Sequence, residues 1–412
     1  TGPLNNTGTL GGSGVIGGNV NLVSGATLSA GNSPGTLTVN GDLTLGSGST
    51  SVFELGQAGV VGGTANDLVV VGGNLQLGGS LQATAASAGW YRLFNYDGAL
   101  SGAFDSDNVS SSTPGFTVAS HHLDTGTAGQ VNLSVLGAGQ SLQFWNGSHT
   151  APTTGVQGGS GTWANFGGNW ADSNGLNPGG WGSSVAVFGG QAGGTVTVQG
   201  TQAFDTLQFS TSGYQLSGGQ LAIAPATGTQ GAINVDAGIA ADMATAIVNG
   251  TGNGLSKVGT GALTLSGANT YTGSTTVNAG TLSAGAANTL SSASAHSVAS
   301  GATLATNGFN QRVAGLDNSG HIDLGTTLGD SSSPTDRLLL SGAAAVASGH
   351  TVLEVSNAGG LGALTTGNGI AVVDTENGAR LDANSFSLHN GHVDAGAFEY
   401  RLFSDAQGAY LR

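Results

Sequence analysis

The sequence contains no cysteine and little charge of either sign. Its 412 residues include 7 Lys and Arg and 22 Asp and Glu, so that 7% are charged, where a soluble globular domain usually has about 25%. Without cysteine there are no disulfides, thiolate metal ligands or cysteine nucleophiles. Stability must therefore come from burial and hydrogen bonding.

Basic residues are the scarcest group. Arg92 is the only Lys or Arg before Lys257, and the formal net charge is −15. Binding to nucleic acid or to an anionic membrane needs a basic face, so we expect neither partner. The longest apolar stretches, such as 338–346, fall far short of the ~20 residues of a transmembrane helix. The chain opens with Thr1 rather than Met, and from this we expect a processed product or a fragment.

Glycine takes the place of much of the missing charge, with 77 residues. Such a composition also occurs in disordered chains, but 38% of the residues are hydrophobic and they alternate with Thr, Asn, Gln or Ser. Side chains at positions i and i+2 share one face of a strand. Short strands with one apolar face are therefore predicted at Val20–Leu22, Leu43–Leu45, Leu75–Leu77, Val131–Val135 and Leu263–Leu265.

The same strand sequences recur along the chain. Gly18-Asn-Val-Asn-Leu is followed by Gly41-Asp-Leu-Thr-Leu and Gly73-Asn-Leu-Gln-Leu, and Ser24-Gly-Ala-Thr-Leu returns unchanged at 300–304. A variable period of about 22 residues is typical of a parallel β-solenoid. A hairpin sandwich is disfavoured because the turns lack regular Asn-Gly pairs. We predict an all-β chain, a right-handed parallel β-helix (β-solenoid) rod with Gly-rich turns and a C-terminal capping region, on the order of 80 Å long.

No sequence motif makes a convincing catalytic or metal site. Ser33 lies in a Gly-x-Ser-x-Gly sequence, but Pro34 follows it and has no N–H to act as an oxyanion donor. Asp124-Thr-Gly occurs once, whereas aspartic proteases need two carboxylates. The stretch 62–68 resembles half of a calcium nonapeptide but is not repeated in tandem.

The histidines do not suggest a site either. His121 and His122 are adjacent, and His389 and His392 are three apart, so on a strand each pair would point to opposite faces. We predict no enzyme, no catalytic residue, no cofactor and no metal site. The ligand-binding residues stay unidentified.

One aromatic cluster is present. Trp145, Trp163, Trp170 and Trp181 lie close together in the sequence, with Phe166 among them. An exposed row of Trp could stack on sugar rings, while a buried group would plug a rung of the solenoid. We favour the buried plug because Trp is highly buried on average.

Two stretches resemble a known family. Lys257-Val-Gly-Thr-Gly-Ala-Leu-Thr-Leu, within 254–285, resembles the autotransporter-associated β-strand repeat, and the Trp-rich stretch before it resembles the lead-in to that repeat. Residues 393–402 and 409–412 resemble the pertactin-like junction, or autochaperone region, although Ala409 stands where that family usually has Trp. Asp67-Leu-Val-Val-Val-Gly and Asp336-Arg-Leu-Leu-Leu-Ser-Gly resemble two copies of a rung opening found late in passengers.

The resemblance implies a passenger of bacterial type V secretion at the cell surface or in the medium, whose own C-terminal outer-membrane barrel is absent from this sequence. We expect a β-solenoid segment at 1–140, a second at 141–329 with the Trp-rich lead-in and the repeat, and a junction at 330–412. The predicted function is an adhesin in cell–cell, host-matrix or biofilm contact, with surface glycans, proteins or like rods on other cells as partners. The alternative is a stalk and folding scaffold for an enzyme domain upstream of residue 1.

Overall fold

The computed structural model describes residues 4–31, 34–58, 60–114, 116–126 and 128–412. These residues form short strands joined by turns, together with a 3₁₀ helix at His389–Gly391. Most strands pair in parallel with strands one rung away, so the predicted all-β, β-helical fold class is confirmed. No helix in these ranges is long and apolar enough to cross a membrane.

Residues 4–136 form a first series of rungs, the N-terminal stack. Its strands are β1 (Leu4–Asn6), β2 (Thr9–Gly12), β3 (Gly14–Ile16), β4 (Val20–Leu22), β5 (Thr27–Ala30), β6 (Thr36–Val39), β7 (Leu43–Leu45), β8 (Thr50–Leu55), β9 (Leu68–Val71), β10 (Leu75–Leu77), β11 (Ser80–Ala85), β12 (Gly89–Tyr96), β13 (Leu100–Gly102), β14 (Ser106–Ser111), β15 (Ser120–Asp124) and β16 (Gln130–Leu136). Each rung contributes one strand to each of three sheets, ordered β1-β4-β7-β10-β13, β2-β5-β8-β11-β14 and β3-β6-β9-β12-β16-β15. The antiparallel strands β16 and β15 complete the third sheet.

Residues 142–411 form the C-terminal stack. Its strands are β17 (Leu142–Trp145), β18 (Gly161–Trp163), β19 (Trp170–Ala171), β20 (Val185–Phe188), β21 (Thr195–Phe204), β22 (Thr206–Phe209), β23 (Tyr214–Ile223), β24 (Gln230–Val235), β25 (Ala240–Met243), β26 (Ala246–Asn249), β27 (Gly254–Val258), β28 (Ala262–Leu265), β29 (Thr275–Val277), β30 (Thr281–Ala284), β31 (Ala295–Val298), β32 (Thr303–Ala305), β33 (Gln311–Val313), β34 (Gly315–Asn318), β35 (His321–Thr326), β36 (Leu338–Ser341), β37 (Val346–Gly349), β38 (Thr351–Asn357), β39 (Ile370–Glu376), β40 (Arg380–Leu381), β41 (Phe386–Leu388), β42 (Val393–Ala395), β43 (Phe398–Tyr400), β44 (Leu402–Ser404) and β45 (Gly408–Leu411).

Two 11-stranded sheets run the length of the C-terminal stack. One follows the order β19-β17-β20-β22-β24-β27-β29-β31-β34-β37-β40, and the other the order β18-β21-β23-β25-β28-β30-β32-β35-β38-β41, with β26 pairing beside β23. A shorter third sheet, β33-β36-β39-β45-β44, covers the last rungs. At the C-terminus β45 runs antiparallel to β39 and to β44, so the predicted capping region is present.

The alternating sequences produce the expected burial. Val20 and Leu22 are buried in β4 while Asn21 between them is partly exposed, and β7 and β10 show the same apolar face. Stacking these strands in register places apolar side chains of successive rungs in contact. The thin core predicted from Ala, Val and Leu therefore arises by repetition along each stack.

The stacking is not continuous, in contrast to the single rod predicted from the sequence. Buried residues from Val20 to Val135 form one apolar core, and those from Trp145 to Leu411 form another. Strand β16 runs antiparallel to β12, so the sheet does not continue into β17. Eleven strands at ~4.8 Å spacing span roughly 50 Å, which is shorter than the predicted rod.

Candidate functional site

The Trp cluster is buried at the beginning of the C-terminal stack. Trp145, Trp163 and Trp170 are 0% exposed and Trp181 is 7% exposed. Their rings pack edge-on or tilted against one another, with centroids 4.6 Å apart for Trp170 and Trp181. The cluster therefore offers no face to a sugar, and the plug interpretation is correct. Phe166, in contrast, is 73% exposed.

The motifs considered for catalysis were those of Ser33 and Asp124, and the structure describes the second. Ser33 lies outside the described residues. Asp124 is buried at the end of β15, where its Oδ1 accepts a hydrogen bond from the Gly126 N–H at 2.8 Å, and burial raises the pKa of its carboxyl. A side chain on Gly126 would overlap Asn174 of the C-terminal stack. This triplet thus forms a tight turn at a contact between the two stacks.

In the stretch 62–68, which resembles half of a calcium nonapeptide, the side chains of Asn66 and Asp67 bond to backbone groups. The Asn66 amide donates to the carbonyls of Gln57 at 2.6 Å and Val60 at 2.5 Å. The Asp67 carboxylate accepts from the N–H groups of Gly35 and Glu54, both at 2.8 Å. These side chains are therefore engaged with the backbone of neighbouring segments.

The fold brings a histidine close to two carboxylates, an arrangement that the spacing of these residues in the sequence does not reveal. His392, Asp394 and Glu399 offer ligand atoms within 4.8 Å of one another, because the hairpin of β42 and β43 pairs Asp394 with Glu399. All three are exposed, and Arg401 Nε already donates to the Glu399 carboxylate at 2.5 Å. His121 lies elsewhere, 3.4 Å from Asp107.

Lys257 and His296 are basic side chains enclosed within the C-terminal stack. Lys257 is 0% exposed, and its Nζ donates to the carbonyls of Val258, Gly259 and Ala279 at 3.0, 2.7 and 3.1 Å. Burial lowers the pKa of Lys257 to about 7, while the three carbonyls favour the charged ammonium. His296 is also buried, and burial lowers its pKa to about 4. Both side chains are inaccessible to a substrate.

The two stacks lie side by side and contact each other through polar side chains and through a small apolar cluster of Trp90 with Phe144 and Val187. Gln208 of β22 accepts a hydrogen bond from the Trp90 N–H at 3.3 Å and donates to the Trp90 carbonyl at 3.4 Å. The Asn234 amide donates to the Ala58 carbonyl. Ala58 precedes Trp90 in the chain whereas Asn234 follows Gln208, so the stacks run in opposite directions along the contact.

Arg92 lies at this contact. Its Nε and Nη1 donate to Asn132 and Asn95 at 2.5 and 2.6 Å. Burial lowers the pKa of Arg92 to about 10 and raises that of Asp236 well above its usual range, while their opposite charges counter both effects. A cleft of about 440 Å³ opens beside Arg92, with Trp90 in its wall. The hydrogen bonds of Arg92 thus stay within its own stack, and its charge faces Asp236 of the other stack.

A larger cleft of about 720 Å³ lies between the stacks on the other side of this contact. Its walls come from turns of the N-terminal stack at 56–58 and 86–88, the connection at 137–140, and turns and strand ends of the C-terminal stack between 205 and 278. Asp205 is 7% exposed, and its Oδ2 accepts from Gln140 Nε2 at 3.0 Å and the Ala226 N–H at 2.7 Å. The structure thus supplies a cleft with a fixed carboxylate.

Family comparison matches two parts of the chain. The model for "Autochaperone Domain Type 1" matches residues 296–402, and that for "Passenger-associated-transport-repeat" matches residues 255–284. The chain is also 38% identical over 281 residues to the Adhesin BmaC autotransporter of Brucella suis biovar 1 (strain 1330). These parts of the chain match an autotransporter passenger with its autochaperone region. A passenger resides at the cell surface or outside the cell, in association with the outer membrane.

The passenger spans a small part of its relatives. The match to Adhesin BmaC covers 64% of this chain and 8% of the adhesin. The uncharacterized protein YuaQ of Escherichia coli (strain K12) is 33% identical over 181 residues, which is 38% of this chain and 12% of YuaQ. The crystal structure of the Haemophilus influenzae Hap adhesin aligns with 98% of this chain and 42% of Hap at 14% identity, with a TM-score of 0.28.

The passenger's junction region is built around buried residues. Tyr400 is 1% exposed, and its hydroxyl is 2.8 Å from the carbonyls of Gly329 and Ala363. Ala409, where the family usually has Trp, is 0% exposed and pairs with Val373. The strands close around this small side chain, so the departure from the family pattern fits the local packing.

The sequence interpretation missed the contact and the clefts between the stacks. A signal was present in β12, which carries aromatic and apolar residues on both faces instead of alternating, and nearly all of it is buried. A strand that is apolar on both faces needs a second layer of structure to cover the face that does not point into its own core. In this passenger the partner is β22 with its neighbours.

Proposed function

We propose that this passenger segment acts as a non-catalytic adhesive surface of a bacterial autotransporter, in contact between cells or with host matrix or biofilm. The observation that carries the proposal is the 38% identity to a protein named as an adhesin, over 64% of this chain. The chain spans 8% of that adhesin. We therefore propose the adhesive role for this segment separately from the rest of that protein.

The outer faces of the stacks support side-by-side association. Asn21, Thr44, Gln76 and Ser101 lie next to one another on successive strands of one sheet. These neutral groups form a polar row along the stack. With few charges to desolvate, such a surface can dock against another polar surface through hydrogen bonds and shape.

The surroundings of the ionisable groups support a non-catalytic role. Lys257 and His296 are enclosed in the core, and Asp205 is held by donors of its own chain. A general acid or base must reach the proton that it transfers. None of these three groups is presented in that way.

We further propose the division into segments 1–140, 141–329 and 330–412, with a C-terminal outer-membrane translocator as the partner of the last segment. The separate apolar cores of the two stacks support a boundary between residues 136 and 142. The autochaperone match at 296–402 supports a junction in the last part of the chain.

The test joins this chain to an outer-membrane translocator and displays it on non-adherent bacteria. We expect cells to settle faster and to attach to matrix-coated or cell-coated surfaces, relative to cells that display the translocator alone. Antibody labelling of intact cells controls for surface exposure. Exposed chain without any attachment would reject the adhesive role in favour of the stalk and scaffold alternative.

A further inference from the structure

The 720 Å³ cleft between the stacks has the size of a small-ligand site, since such sites measure about 300–1,000 Å³. It exists only because the two stacks pack side by side, with turns of one facing strands of the other. We propose that this cleft binds a neutral oligosaccharide. The proposal rests on the adhesive function above and names the class of its ligand.

The apolar part of the wall suits the carbon face of a sugar ring. Phe116 lines the cleft and is partly exposed, while Pro225, Ala88 and Ala138 contribute small apolar groups. Aromatic rings bind molecules that have one apolar side and one polar edge. A pyranose has this character, because its C–H groups gather on one face and its hydroxyls point outward.

The polar part of the wall suits hydroxyl groups. Gln140 and Asp205 are already bonded to each other, which fixes both in place. Asn234 is 1% exposed, and its Oδ1 has no hydrogen-bond partner. Gln230 and Asn278 also line the cleft, and each uses its amide nitrogen on a neighbouring serine. Amide groups can both donate to and accept from the hydroxyls of a sugar, and a carboxylate can accept from them.

The charge of the cleft selects against acidic ligands. Within the described part of the chain, no Lys, Arg or His lines it, and Asp205 is a carboxylate in its wall. The whole chain carries a net charge of −15. A sialylated sugar, a uronic acid or a phosphate would meet repulsion without a compensating cation. A neutral sugar avoids this cost.

The test compares matched variants in solution. Thr227 is an exposed residue of the cleft wall, and Thr227→Trp places a large ring there that obstructs the cleft. Thr251 is exposed on a bend outside the cleft, and Thr251→Trp is the control. Saturation-transfer NMR screens neutral oligosaccharides of glucose, galactose, mannose and N-acetylglucosamine, alongside sialylated and uronic-acid sugars and a Lys-rich peptide. Isothermal titration calorimetry then measures any ligand found.

We expect at least one neutral oligosaccharide to bind the unmodified chain and the Thr251→Trp variant, but not the Thr227→Trp variant. Asn278→Ala should weaken binding about tenfold, through the loss of one hydrogen-bonding group. Asn249→Ala, which removes an exposed amide bonded to Thr272, should leave binding unchanged. Binding of only the acidic sugars or only the peptide would overturn the proposal, as would equal binding by both Trp variants.

Display of the same variants on bacteria separates this proposal from the adhesive function. If unmodified and Thr227→Trp cells attach equally well, the adhesive function stands and the cleft is not its site. If the purified chain binds a neutral sugar through the cleft but displayed cells do not attach, the site stands and the adhesive function fails.

Discussion

At the residue scale, two buried aspartates perform the same task in different stacks. The Asp67 N–H donates to the Glu54 carbonyl, and the Asp67 carboxylate accepts from the Glu54 N–H. Asp336 makes the same reciprocal pair with Gly325. The two copies of the rung opening identified in the sequence therefore share one local structure. Each carboxylate fixes the chain just before a buried strand begins.

Asp336→Ala should be strongly destabilising. The Asp336 Oδ2 accepts from Thr306 Oγ1 at 2.8 Å, the Gly308 N–H at 2.7 Å and the Gly325 N–H at 2.9 Å. Leaving these donors without a partner should lower the free energy of unfolding by about 3 kcal/mol, measured by urea denaturation. Asp336→Asn keeps an acceptor and should lose less. The control is Asp317→Ala, since Asp317 is exposed; equal losses for the two alanine variants would contradict the prediction.

His296 should make the C-terminal stack sensitive to acid. Burial lowers its pKa to about 4, whereas an unfolded His titrates near about 6.5. As the pH falls, the unfolded state therefore binds a proton before the folded state does. The free energy of unfolding should decline by about 3 kcal/mol between pH 6.5 and pH 4. His296→Leu should remove this part of the pH dependence in urea titrations. His389→Leu, at an exposed site, is the control, and an equal change in both variants would contradict the prediction.

At the element scale, identical sequences adopt identical turns. Ser24–Leu28 and Ser300–Leu304 each place glycine at positive φ, 85° and 80°, followed by a buried Ala and the start of a strand. Alternation and turn chemistry are local, so the sequence predicts them well. The packing of β12 against the C-terminal stack depends on contacts between residues more than 100 positions apart, and no local pattern specifies that partner. The proposed sugar-binding cleft lies beyond sequence prediction for the same reason.

One corner of the N-terminal stack carries a ladder of side chains. Asn19 Oδ1 accepts from the Asp42 N–H at 3.0 Å, Asp42 Oδ1 from the Asn74 N–H at 2.7 Å, and Asn74 Oδ1 from the Ala99 N–H at 2.8 Å. The glycine that precedes Asn74 is needed for this arrangement, because a Cβ on Gly73 would overlap the Asp42 carboxylate. The recurring Gly-Asn and Gly-Asp pairs of the sequence are therefore the chemical unit of the ladder.

Gly73→Ala should break this ladder. The added methyl displaces the Asp42 side chain and pushes against its backbone, which should cost about 1–3 kcal/mol of folding free energy. Gly17→Ala is the matched control, because a Cβ on Gly17 meets no atom within 4 Å. Thermal unfolding followed by circular dichroism compares the two variants. A melting temperature as low for Gly17→Ala as for Gly73→Ala would refute the steric explanation.

At the scale of the whole molecule, the two separate apolar cores should confine the effect of a truncation to one stack. Removing 330–412 takes away Asp336 and Tyr400, which bond to Gly325 and Gly329 of the preceding rungs. We expect amide hydrogen exchange to accelerate through the C-terminal stack and to stay near its original rate in the N-terminal stack, because the stacks have separate cores. Peptide-resolved mass spectrometry measures both. Equal acceleration in both stacks would mean that they unfold as one unit.

The fold-back between the stacks also has a mechanical consequence. Rungs within a stack are joined by several parallel backbone bonds, whereas the contact between the stacks includes the Trp90–Gln208 and Ala58–Asn234 pairs. Because fewer bonds cross this contact, we expect tension between the two ends of the segment to open the fold-back before any rung unravels. The five-stranded sheets of the N-terminal stack are about 20 Å long at ~4.8 Å per strand. Swinging this stack from beside the C-terminal stack to beyond its end would lengthen the segment by about 40 Å, twice that length. A cell tethered through this segment gains that extension while the β-helix itself stays intact.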